Sequence, residues 1–153
     1  MPAEKQVVHK GDFVNEGYVE VVFPAGVTEI GAEAFQGWTT LRNVSFEPGS
    51  TLTRIGTNAF ADSGLVEFTA PASLRFVDQG AFCWCGNLRK VVLNDGLLVL
   101  GMAKRQATGD RYCGVFEGSK VEDVRLPPGL TRLEQNIFTN CMSLKHLKLP
   151  PGL

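Results

Sequence analysis

Glu29–Phe35 reads EIGAEAF, Arg54–Phe60 reads RIGTNAF and Phe76–Phe82 reads FVDQGAF. Three near-copies of one heptapeptide, each closing on Ala-Phe, raise a choice between a site motif and the rung of a repeating fold. Taking the closing phenylalanine as the reference admits two further copies, Val115-Phe116 and Ile137-Phe138. The five phenylalanines Phe35, Phe60, Phe82, Phe116 and Phe138 are spaced by 25, 22, 34 and 22 residues. Three intervals cluster near 23, and the fourth is 11 residues longer, which marks one insertion. It falls within GMAKRQATGDRYCGVF, Gly101–Phe116.

The flanks keep the same register. An aliphatic residue stands seven or eight positions before Phe (Val27, Leu52, Leu74, Leu130), and another stands five before it (Ile30, Ile55, Val77, Leu133). Leu41, Leu65, Leu88, Val121 or Leu144 follows five or six positions after it. Two alternating apolar positions come next: Val44/Phe46, Phe68/Ala70, Val91/Leu93, Val124/Leu126 and Leu147/Leu149. A Pro or Gly turn closes each unit. The N-terminal stretch YVEVVFPAGV from Tyr18 superimposes on LKHLKLPPGL from Leu144, so the chain opens with a half repeat. The expected organisation is a tail over 1–17, a half repeat over 18–26, and five repeats over 27–51, 52–73, 74–96, 97–129 and 130–153.

Each unit has a physical reading. The alternating apolar segment is a short strand with one buried face. The Pro/Gly turn bends the chain, the LxxIG piece is a second short extended segment, and the stretch through Ala-Phe is expected to form one turn of helix or 3₁₀ helix. A unit of about 23 residues cannot bury its own apolar face, whereas stacked copies can. The fold class that follows is a repeat solenoid. It carries short parallel strands on one face, short helical or extended segments on the other, and a column of phenylalanines inside.

Composition agrees and excludes several classes. The 153 residues are 44% hydrophobic and 20% charged, enough to bury a core, and 17 glycines with 8 prolines imply a chain that turns often. A net charge of -1 supplies no field for nucleic acid or an anionic membrane. No apolar run approaches the roughly 18 residues of a membrane span, and MPAEKQVVHKGDF does not read as a secretory signal. The expected location is cytoplasmic as written, or cell-surface or secreted if the chain is a fragment of a longer one. Cys83, Cys85, Cys113 and Cys141 lack zinc-site spacing and read as reduced, mostly buried thiols. With two histidines, His9 and His146, and no phosphate loop, nucleophile elbow or HExxH, the chain is expected to be non-enzymatic, without metal or cofactor.

LTRIGTNAFADSGLVEFTAPAS and LTRLEQNIFTNCMSLKHLKLPPGL resemble the BspA-like leucine-rich repeat family, whose unit runs roughly L-x-x-I-G-x-x-A-F-x-x-C-x-x-L-x-x-V-x-L-P. The resemblance covers about Tyr18 to Leu153. It implies a leucine-rich-repeat solenoid used for adhesion or protein recognition, often at cell surfaces. The family's Cys column here holds Trp38, Ser63, Cys85, Ser119 and Cys141, so it reads as a packing position; Trp38 is expected at an edge or as a wedge between turns.

Strand alternation assigns the outward residues. One outward column is Glu20, Asn43, Glu67, Lys90, Asp123 and His146, and the next is Val22, Ser45, Thr69, Val92, Arg125 and Lys148. They are the first candidates for partner docking. The insertion adds Lys104, Arg105, Arg111 and Tyr112, of which Arg and Tyr are types that anchor interfaces. The expected partner is a protein or a larger assembly, with no nucleic acid and no direct membrane insertion. The alternative is an architectural module or subunit, in which the strand edge of the uncapped final repeat seals against another copy or chain.

Overall fold

The computed structural model describes residues 6–102, 113–130 and 133–153. Among them are eleven short strands and no helix: β1 (Val7–Val8), β2 (Glu20–Phe23), β3 (Glu29–Ile30), β4 (Asn43–Phe46), β5 (Arg54–Ile55), β6 (Glu67–Thr69), β7 (Phe76–Asp78), β8 (Lys90–Val92), β9 (Val99–Met102), β10 (Asp123–Arg125) and β11 (His146–Lys148). All pairings are parallel; paired strands are two apart in chain order except β10 and β11, which pair directly. The odd-numbered strands up to β9 form one ladder in the order β1-β3-β5-β7-β9. Its register stacks Val8, Ile30, Ile55, Val77 and Leu100, and Leu100 bridges on to Leu133. On another side, β2 pairs with β4, and β6-β8-β10-β11 continue that face.

The third side carries Ala-Phe, and here the expected helical turn does not form. Alternate N–H groups close local three-residue turns, as from Ala34 to Gly31 O and from Gln36 to Glu33 O. Those between them reach across to the next coil: Phe35 to Ala59 O at 2.7 Å, Phe60 to Ala81 O at 2.8 Å, Phe82 to Val115 O at 2.9 Å and Phe116 to Ile137 O at 3.0 Å. Residues two before or two after Phe have positive φ: Glu33, Asn58, Asn136 and Gly80 before it, Asp62, Trp84, Asn140, Gly37 and Gly118 after it. That left-handed conformation interrupts any right-handed helix. A run of tight turns holds instead, and the side is hydrogen-bonded from coil to coil.

The buried interior is the phenylalanine column, and it has one more member than expected. Phe13, Phe35, Phe60, Phe82, Phe116 and Phe138 stack with ring centroids 6.3, 5.3, 5.5, 5.7 and 5.8 Å apart and interplanar angles of 14° or less. The segment set aside as a tail thus supplies β1, a fully buried Val8 and a half-buried Phe13. VVHKGDF is a first unit with the same five-residue step from aliphatic to Phe, written without Ile-Gly or Ala-Phe. At the other end the alternation weakens. Leu147 and Leu149, expected inside, are 39% and 56% exposed.

The Ile-Gly step has a steric cause. A Cβ on Gly56 would stand 2.7 Å from Ala32 N and 2.8 Å from Gly31 C, so the coils approach too closely for a side chain. Where the third unit writes Val77-Asp78, the ladder register shifts, and buried Asp78 accepts two hydrogen bonds from Arg54, 3.1 Å from Nε and 2.9 Å from a terminal nitrogen.

Candidate functional site

The strand register builds the outward columns side chain by side chain. Glu20 lies beside Asn43, Glu67 beside Lys90, Lys90 beside Asp123 and Asp123 beside His146. Val22 lies beside Ser45, Thr69 beside Val92 and Arg125 beside Lys148. All are exposed except half-buried Asn43 and Ser45, while Val44, Phe68, Val91 and Val124 between them are buried. Period-two alternation in sequence has become one continuous solvent-facing surface.

Charges on this face are sorted along the coil axis. Toward β2 stand Glu20, which accepts a hydrogen bond from Asn43 at 3.1 Å, and Glu67. Toward β11 the pairing is denser. His146 Nδ1 meets Asp123, and Arg125 reaches Asp95 at 3.4 Å. Lys145 and Arg89 converge on Glu122 at 2.9 and 3.3 Å. Hydrogen bonding from Lys145 holds the Glu122 carboxyl below its ordinary value, and the same contact raises the Lys145 ammonium. Lys90 and Lys148 have no ion-pair partner among the described residues. They are cations available to an incoming group.

Sequence alternation missed a third column immediately before the strands: Val19, Arg42, Val66, Arg89, Glu122 and Lys145, all exposed except half-buried Glu122. Val19 is 58% exposed and Val66 40%, adding apolar surface to the acidic end, while Val92, Leu147 and Leu149 expose apolar surface toward β11. The only signal for this column was its constant place one residue before each strand. Arg42 is committed elsewhere, donating to the carbonyls of Thr39 and Gly64.

Recesses notch this surface. The turn after β4, Glu47–Thr51, is two residues longer than its counterparts after β6, β8 and β10. No ladder pairing joins β4 to β6 there, and a recess of about 510 Å³ opens, lined by Asn43, Ser45, Phe46, Glu47, Ser50 and Thr69 among others. A second recess, about 210 Å³, lies between the last two Pro turns with Arg125 and Lys148 on its wall. It suits an acidic side chain.

Lys104, Arg105, Arg111 and Tyr112 lie outside the described residues. Trp38 is buried, edge-on to Phe35 at 4.9 Å and stacked on Tyr18 at 6.1 Å, so it packs the first coils together. In the same column the Cys85 and Cys141 thiols each donate to the carbonyl of the preceding coil's Phe, at 3.0 Å. These thiols serve packing. The His146–Asp123 pair faces solvent; Lys90 lies beside Asp123 in the register, and Arg125 and Lys148 lie two residues further along the strands.

Stacked coils of about 23 residues, parallel ladders and a continuous core column define a leucine-rich-repeat β-solenoid. The chain belongs to the BspA type leucine rich repeat family, whose model matches residues 6–103 and 112–153 in six copies. No curated protein matches it. Among solved structures it is similar to a leucine-rich repeat protein from Bacteroides ovatus, at 24% identity and a TM-score of 0.81 over 100% of this chain and 37% of that one. It is also similar to the pneumococcal vaccine antigen PcpA, at 25% identity and a TM-score of 0.74 over 88% of this chain and 31% of that one. A leucine rich cell surface protein from Faecalibacterium prausnitzii aligns at 23% identity and a TM-score of 0.52, over 84% and 38% of the two chains. The chain thus spans about a third of the length of the first two. No helix among the described residues is long and apolar enough to cross a membrane.

Proposed function

We propose that the protein is a non-enzymatic protein-binding scaffold whose docking surface is the outward face of β2, β4, β6, β8, β10 and β11. The observation that carries this reading is the register of that face: three solvent-facing columns run along the coil, with Glu20 and Glu67 toward one end and Lys90, Arg125, Lys145 and Lys148 toward the other. A partner of complementary polarity docks in one orientation, because reversing it would set like charges together. Lys90 and Lys148, unpaired among the described residues, and the recess beside Arg125 take acidic groups, while Val19, Val22 and Val66 offer desolvation at the other end. The insertion at 101–116, with Lys104, Arg105, Arg111 and Tyr112, is a second docking segment in this reading. Affinity capture of partners followed by Lys90→Ala, Arg125→Ala and deletion of the insertion tests the assignment. Partners that stay bound through all three changes would exclude it.

A second reading is an architectural module of a longer chain displayed at a bacterial surface. It is favoured by the greater length of the related structures and by the description of one as a cell surface protein and another as a vaccine antigen. Antibody labelling of intact source cells, compared with lysed cells, distinguishes a displayed module from an intracellular one. Sedimentation at high concentration tests edge-to-edge pairing of the final repeat, which a strictly monomeric protein would exclude.

A further inference from the structure

We propose that Cys83 and Cys113 form a thiol pair that closes to a disulfide by exchange with a small external disulfide, pinning the C-terminal leg of the insertion to the preceding coil. The two cysteines sit on adjacent coils whose backbones are clamped on both sides: Phe82 N–H to Val115 O at 2.9 Å and Trp84 N–H to Glu117 O at 2.7 Å. Cys83 N–H bonds back to Gly80 O at 2.9 Å, curling its turn over Gly80. Gly80 in turn lies against Cys113: a Cβ built on it would be 3.6 Å from the Cys113 Cβ. The two thiols are hydrogen-bonded to each other.

Access is ordered. Cys113 lines a recess of about 230 Å³ shared with Gln79, Gly101, Gly114 and Glu134, while Cys83 is outside its lining and 5% exposed. The other two thiols are engaged elsewhere, Cys85 on Phe60 O and Cys141 on Phe116 O. In the first step the Cys113 thiolate attacks one sulfur of the external disulfide. A mixed disulfide forms and one small thiolate leaves, taking up the proton Cys113 gave up. The Cys83 thiolate then attacks the Cys113 sulfur, the protein disulfide forms, and the second small thiol leaves with the Cys83 proton. Two protein thiols are oxidised and one external disulfide is reduced to two thiols, with no reagent needing to reach Cys83. Burial raises both thiols, and the nearby Glu117 charge further opposes a thiolate at Cys113, so exchange is slow at neutral pH and accelerates as pH rises.

The reduced full-length chain, incubated with oxidised glutathione at alkaline pH, is mapped by mass spectrometry without reduction. The expected product has lost two hydrogens and joins the Cys83 and Cys113 peptides. With Cys83→Ser, Cys113 stops as a glutathione mixed disulfide; with Cys113→Ser, Cys83 stays unmodified. The oxidised wild type melts about 5–10 °C higher, reversed by dithiothreitol. Four results would overturn the proposal: a persistent Cys113 adduct in the wild type, a Cys83–Cys85 link, no cross-link where Cys113 is freely alkylated, or a lower melting point on oxidation.

Discussion

Phe82→Ala probes the core column where it is most enclosed. The ring has no solvent exposure and sits 5.5 Å from Phe60, 5.7 Å from Phe116 and 4.7 Å from Phe68. Truncation removes its transfer free energy and leaves a cavity bounded by three rings whose backbones are tied across coils, so the site cannot collapse freely. The expected loss is about 3–5 kcal/mol. Phe138 is half-buried and stacks on Phe116 alone, at 5.8 Å, so Phe138→Ala should cost about 1–2 kcal/mol. Urea titration followed in parallel by circular dichroism and tryptophan fluorescence reads both values. Agreement of the two probes tests whether a single transition describes the solenoid. A loss below about 1 kcal/mol for Phe82→Ala, or equal losses at the two positions, would refute the stacked column.

Three further predictions follow from other contacts. Gly114→Ala places a Cβ 1.7 Å from Asn136 O and should cost about 2–3 kcal/mol, seen as a lower urea midpoint. Arg54→Met strips the buried Asp78 carboxylate of a two-bond partner and should cost about 3 kcal/mol, against less than about 1 for an exposed Lys148→Met. Burial pushes the Cys85 thiol up to about 11. Below about pH 8.5 it is neutral in both states; above that the unfolded chain ionises first, so unfolding becomes easier until pH passes the folded value. The stability advantage of wild type over Cys85→Ala should therefore be constant from pH 6 to 8 and shrink by about 2 kcal/mol near pH 10.5, and a pH-independent difference would contradict the burial of this thiol.

The coil and its facing residues were legible because they depend on local periodicity. Ala-Phe fixed the rung, and alternation around Val44, Phe68, Val91 and Val124 fixed which side chains point out. Phe13 was hidden because the first unit lacks both Ile-Gly and Ala-Phe. The left-handed turns were hidden because Glu33, Asp62 and Trp84 adopt positive φ that their residue types seldom favour, and each donates its N–H to the next coil. Arg54–Asp78, the Arg89–Glu122–Lys145 cluster and the Cys83–Cys113 contact join residues 20 or more positions apart. Their pairing exists only once the coils are in register. The opening beside β4 was visible as a 25-residue interval, but its meaning, a longer turn that separates β4 from β6, required the ladder itself.

Function is therefore sought on the face whose residues vary while the rungs repeat. The most direct measurement compares a captured partner's affinity for two double variants: Lys90→Glu/Lys148→Glu on the outward ladder, and Gln36→Lys/Gln135→Lys on the exposed Ala-Phe side. The account predicts that the ladder variant loses binding by about tenfold or more, while the Ala-Phe-side variant binds as wild type. Undiminished binding to the ladder variant, with loss from the other, would place the docking surface on the wrong side of the coil.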